Sequence, residues 1–169
     1  MRVLGVDPGL NCTGYGVVEQ NQQNQKIILT TGVVKTSSKL SMSIRLNKIY
    51  TVLKEIIKIY SPDVLALEQI YSHYKNPSTA ILMAHARGVI CLLGSAKMPV
   101  IGYAAKRVKQ AVTGTGGATK LQIQKTVKQI FNLNDIPEPN DIADALALAL
   151  THIDIAKKNF LYSSLNKKR

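Results

Sequence analysis

The chain has 169 residues, 46% of them hydrophobic, and its 22 Lys and Arg against 10 Asp and Glu give a formal net charge of +12. That length suits one domain with a substantial buried core. No uninterrupted apolar run reaches the roughly 18 residues a bilayer crossing needs, so no membrane partner is expected. Met1-Arg2 passes straight into a strand pattern without the features of a secretory leader, and the protein is expected to be cytoplasmic. Two cysteines, Cys12 in an expected turn and Cys91 in a helical pattern, exclude a disulfide framework and a cysteine-rich zinc site. The excess positive charge favours a polyanionic partner, because each neutralised phosphate releases condensed counterions. A lysine-rich surface that is merely solvated is the plainer alternative.

In chain order, "RVLGVD", "YGVVE" and "KIILTTGVVKT" read as three consecutive strands, the last two joined by a hairpin turn at "NQQNQ". Ile44, Ile49, Val52, Leu53, Ile56, Ile57 and Tyr60 then recur at helical spacing until Ser61-Pro62 stops the helix. "VLALEQI" is a fourth strand. A helix from about Ser78 to Lys97 is apolar around most of its circumference, which predicts core on one side and a second subunit on the other. After Pro99, "VIGYA" supplies a short fifth strand, followed by a basic helix from Ala104 to Val112. The Gly-rich "TGTGGAT" leads into a helix from Lys120 to Phe131, and a loop ending in Pro139-Asn140 leads into a last helix from Asp141 to Lys158. This order predicts an α/β domain over residues 1–158, a mixed five-stranded sheet with helices on both faces. Residues 159–169 are expected to form a basic, frayed C-terminal tail.

Two of these strands end in carboxylates. Asp7 closes the first, and Glu68 follows four apolar residues in the fourth. An interior strand is normally apolar on both faces, and an isolated buried carboxylate costs several kcal/mol unless something pairs with it. Asp141 and Asp144, three apart on the last helix, share a face, while Ile142, Leu146, Ala149 and Ile153 form the stripe that seats it. For Asp141 a favourable place in the helix dipole is an alternative explanation; Asp144 lies too far along the helix for it. Four acids with few cations beside them in sequence point to a divalent ion, and all-oxygen ligation selects Mg²⁺ or Mn²⁺ over zinc. In a basic protein such a site points to phosphodiester hydrolysis, with two ions on opposite sides of one phosphorus. The three histidines, His73, His85 and His152, are not at metal-ligand spacing.

The blocks "GVDPGLNCTGYGVV", "ALEQIYSHYKN", "ARGV", "YAAKRVKQAVTGTGGATK" and "NDIADALALALTH" together resemble the RuvC-type Holliday junction endonucleases, from Val3 to about His152. The resemblance implies an RNase H-like fold and a metal-dependent endonuclease of homologous recombination and DNA repair. That enzyme makes paired symmetric nicks in four-way DNA junctions, leaving 5′-phosphate and 3′-hydroxyl ends. It implies two Mg²⁺ ions, with Mn²⁺ as a substitute, held by Asp7, Glu68, Asp141 and Asp144 as the catalytic set. It also implies a homodimer formed through the helix carrying Ala86-Arg87-Gly88-Val89, and branch-migration proteins of the same pathway as partners. Tyr71 matches an aromatic that meets bases at the opened junction centre; with Lys75 it sits in "YSHYKN", a pattern suited to stacking on unpaired bases while holding phosphate. Lys109 and Lys120 match basic positions near the cut strand. Lys106 and Arg107 stand where other members have Arg then Gln, and are assigned to DNA binding with them. Two alternatives differ in class: a noncatalytic junction-binding protein, and an actin-like or sugar-kinase-like phosphotransferase suggested by "DPGLNCTG", which would need a second nucleotide-binding lobe.

Overall fold

The computed structural model describes residues 1–69 and 77–166. Five strands, β1 (Arg2–Asp7), β2 (Cys12–Gln20), β3 (Lys26–Lys35), β4 (Val64–Glu68) and β5 (Val100–Tyr103), form one sheet in the order β3-β2-β1-β4-β5. The hairpins β1–β2 and β2–β3 are antiparallel, whereas β4 lies parallel to β1 and β5 parallel to β4. Five helices complete the chain: α1 (Met42–Tyr60), α2 (Pro77–Ser95), α3 (Ala105–Thr113), α4 (Lys120–Ile130) and α5 (Asn140–Asn166). The mixed five-stranded sheet covered on both faces is the architecture expected from the sequence.

Strand alternation sorts the core into two layers. Leu4, Val6, Val17, Leu65 and Leu67 point toward α1 and α2, where they meet Ile49, Leu53, Ala86 and Ile90. Val3, Val18, Ala66 and Tyr103 point the other way, onto α3, α4 and α5. Asp7 follows Val3 and Gly5 at period two, and Glu68 follows Ala66. Both carboxylates therefore belong to the α5 side, and the parallel pairing of Val6 with Leu67 leaves them as neighbours at the ends of adjacent strands.

Several boundaries differ from the sequence reading. Cys12 is the first residue of β2 rather than part of a turn, because pairing with Lys35 carries that strand three residues further back. On α1 the inward stripe is Arg45, Ile49, Leu53 and Ile57, while Ile44 is exposed. Buried Arg45 tolerates its position because Thr36 and Asn11 accept from its guanidinium. Ser41 caps the start of α1, and Ser61 ends it in the left-handed conformation, its N–H donating to the Ile57 carbonyl over 2.9 Å. The apolar stripe of α5 is wider than expected: every residue from Ala145 to Leu150 is buried, since strands, α3 and α4 enclose that stretch. Its helical backbone runs to Asn166, eight residues past the expected end. Finally, α2 over Ser78–Ser95 is long and apolar enough in composition to cross a membrane. His85 and Arg87 interrupt this otherwise apolar stretch, so it contains no unbroken apolar run. Its inner face, Ala86, Ile90 and Leu93, packs into the α1 layer, while most of the helix surface is left uncovered.

Candidate active site

Backbone approach comes first. A Cβ at Gly5 would stand 2.0 Å from the Ala145 carbonyl oxygen, and one at Gly14 would stand 2.1 Å from that of Asp141. Only glycine lets β1 and β2 touch the α5 backbone so closely. The start of α5 is thereby pressed against the strand ends. Gln124, buried on α4, donates to the Asn140 side chain and fixes that start from the other side.

Asp7, Glu68 and Asp144 line a single cavity of about 200 Å³ together with Lys109, Lys120 and an apolar wall that includes Val108 and Ile123. Asp141 is not in its lining, but its charge acts on Asp7, and the Cys12 thiol hydrogen-bonds to it. Burial, followed by the charges of Asp144, Glu68 and Asp141, pushes the Asp7 carboxyl up to about 7, against a smaller opposing pull from Lys120. Glu68 is raised by burial and by Asp144, with Lys120 and Lys109 pulling it down. Lys120 Nζ lies 2.8 Å from Asp144 Oδ2, and this hydrogen bond raises the ammonium pKa. The acids thus do have cationic company, contrary to the impression left by the local sequence: α3 and α4 supply it across the cleft.

Among the described residues, no group of three His, Cys, Asp or Glu side chains is set closely enough to hold a metal ion as it stands. Asp144 is instead paired with Lys120. The donor set still fits a hard divalent cation, since every candidate atom is a carboxylate oxygen and burial beside three further acids raises the Asp7 carboxyl.

The other sequence-expected residues fall in three places. Lys109 and Lys120 are in the cleft. Lys106 is exposed, with its stem lying over Gly116 of the Gly-rich loop, and Arg107 turns to the opposite flank of α3. Tyr71, Tyr74, His73 and Lys75 lie outside the described residues. Arg87, expected only at the subunit interface, also supports the site: its Nε donates to the Glu68 carbonyl oxygen over 3.1 Å, tying α2 to the strand end that carries the acid. Tyr103 Oη and His152 Nδ1, which local sequence does not pair, share a hydrogen bond of 2.8 Å and join β5 to α5 two turns beyond Asp144. A glycine between Leu4 and Val6, and an arginine on the inward stripe of α1, were the available signals for close approach and for a strap on the β1–β2 loop.

A mixed sheet with acids at the ends of two neighbouring strands and at the start of the helix crossing them defines an RNase H-like nuclease. The sequence profile of "Crossover junction endodeoxyribonuclease RuvC" matches residues 3–152. The chain belongs to that family. It is 45% identical over 163 residues to the RuvC of Caldicellulosiruptor saccharolyticus, covering 96% of this chain and 97% of that one. Among solved structures, RuvC of Thermus thermophilus superimposes with a TM-score of 0.85 at 33% identity, over 94% of this chain and 97% of that one. The same protein in complex with a Holliday junction substrate gives 0.84 at 31% identity, over 94% and 96%.

Proposed function

We propose that the chain resolves four-way DNA junctions as a homodimer, making paired symmetric nicks by metal-dependent hydrolysis that leaves 5′-phosphate and 3′-hydroxyl ends. The carrying observation is that Asp7, Glu68 and Asp144 line one cleft with Lys109 and Lys120, where burial and then the neighbouring acids push the Asp7 carboxyl up to about 7. Asp7, Glu68, Asp141 and Asp144 would hold two Mg²⁺ ions, or Mn²⁺ in their place, which when bound supply charge for an attacking water and a leaving oxygen. Asp7 and Glu68 are fixed by a stiff sheet, so their oxygens are placed more accurately than a loop could place them. Lys120, here paired with Asp144, and Lys109, whose charge acts on Glu68, would meet the phosphate of the cut strand. Buried Val108 and Ile123 give the cleft an apolar wall, and charges facing such a wall act on each other more strongly than in open water.

The homodimer reading rests on α2, whose outward face leaves Ile81 at 57% and Leu92 at 69% exposure beside partly exposed Leu82. A two-fold dimer presents two cleft copies to a two-fold substrate. The four-way substrate follows the Thermus thermophilus relative, which was solved with a Holliday junction.

The test is a synthetic four-way junction incubated with purified protein and Mg²⁺. Wild type nicks the junction and spares linear duplex. Asp7→Asn cuts at least about 10²-fold more slowly while binding the junction as before, because an ion ligand is lost and the basic surface kept. Equal cutting by Asp7→Asn would overturn the metal mechanism, and binding without cutting by wild type would favour the noncatalytic reading.

A further inference from the structure

On the flank of α3 away from the catalytic cleft lies a second groove, of about 430 Å³, between α3 and the later part of α5. Arg107 and Gln110 line it from α3, and Asp154, Ile155, Lys157 and Lys158 from α5. We propose that this groove holds the sugar-phosphate backbone of a duplex arm of the junction, at a distance from the phosphate being cut. The proposal rests on the junction-nuclease reading and adds to it a site outside the cleft.

Charge is the first reason. Three cations line the groove against one anion, and that anion is already engaged: Lys26 Nζ on β3 lies 2.6 Å from Asp154 Oδ1. Among the described residues, the side chains of Arg107, Lys157 and Lys158 have no hydrogen-bonding or ion-pair partner, and all three residues are exposed. Like charges gathered around one concavity repel each other, and a bound polyanion relieves that repulsion. Gln110 adds a neutral donor, and Ala111 and Ile155 give the groove apolar lining rather than competing acceptors.

Position is the second reason. Arg107 and Lys109 are two apart on α3 and so face opposite flanks, Lys109 into the catalytic cavity and Arg107 into this groove. Helix α3 is therefore a ridge with a basic surface on each side. A helix with its side chains is about 10 Å across, and one strand carries a phosphate for about every 3.4 Å of axis. A backbone leaving the cleft over this ridge thus meets the groove on the order of three phosphates away. An acidic protein segment would satisfy the charge but not this continuity with the cleft.

The experiment uses the full chain carrying Asp7→Asn, so that the junction stays intact, and a fluorescein-labelled junction read by anisotropy. Lys157→Glu with Lys158→Glu is compared with its parent on junctions with long arms and with arms cut back to a few base pairs. Lys54→Glu with Lys58→Glu, on α1 beneath the other sheet face, makes the same change in net charge. The groove predicts affinity for the long-armed junction about tenfold weaker, with a salt dependence shallower by roughly 0.9 for each phosphate that is no longer neutralised. It also predicts little change on the short-armed junction and little change for the α1 variant. Unchanged long-arm affinity and salt dependence would overturn the proposal and leave the groove to an acidic protein. Equal losses on both arm lengths, or from the α1 pair, would overturn it as a general charge effect. A parent that bound linear duplex as well as the junction would instead overturn the junction reading beneath it.

Discussion

The two faces of the sheet follow different rules. Toward α1 and α2 it presents Leu4, Val6, Leu65 and Leu67, filled against Ile49, Leu53 and Ile90, all fully buried. Toward α5 it presents Gly5 and Ala66 before ending in Asp7 and Glu68, and α5 answers with Ala145 and Ala149. One face gains stability from apolar volume. The other, near the site, adds proximity: at Gly5 and Gly14 the α5 backbone comes against the strands, so that the acids at its start stand beside the acids at their ends. Both layers hold an apolar core, but only the α5 side carries the acids, at the strand ends and the helix start.

The largest test of this difference is the pH dependence of the metal-free protein. Asp7 holds its proton to about pH 7 in the folded state, against an ordinary 3.8. A carboxyl raised on folding contributes stability that is fully present below the lower value and is lost as pH rises through the higher one. Unfolding of metal-free wild type should therefore show a loss of roughly 4 kcal/mol between pH 4 and pH 8 from this group. Asp7→Asn should remove most of that loss, and saturating Mg²⁺ should reverse it. A flat profile would place the acids in an ordinary solvated surface.

On the volume-filled face, Leu53→Ala should cost roughly 3 kcal/mol in denaturant unfolding by leaving a cavity, with the cleavage rate of the folded protein unchanged. Gly5→Ala on the α5 face should cost about 1–3 kcal/mol. It should also slow cleavage tenfold or more, because its new methyl displaces the helix carrying two of the acids. If both variants affected only stability, the two faces would not differ in role. Smallest is Thr119→Ala, which removes the hydroxyl of the α4 capping box and should cost about 1 kcal/mol, read as a lower Tm.

The elements were legible because their periodicities were clean: β1, β4 and α4 lie within a residue or two of their expected bounds, and Asp7 and Glu68 stood out as charges at the ends of apolar runs. Asp141 and Asp144 could be paired in advance because helical spacing places residues three apart together. Residues acting through space rather than through local pattern were not legible. Nothing in "ARGV" says that Arg87 reaches the Glu68 carbonyl, nor does "KTSSKLSMSIRLN" say that Arg45 replaces Ile44 on the buried face, because each choice is made by a partner distant in sequence. The ion pair of Lys120 with Asp144 was hidden for the same reason, and it changes the picture of the acids from uncompensated to partly compensated.

The central claim is that acids from β1, β4 and α5 act as one metal-binding set. Crystals grown with Mn²⁺ and measured for anomalous scattering would test it most directly. The account predicts two peaks in the cleft, within ligand distance of Asp7, Glu68, Asp141 and Asp144, with Lys120 moved off Asp144. Peaks elsewhere, or none in the cleft at saturating Mn²⁺, would contradict it.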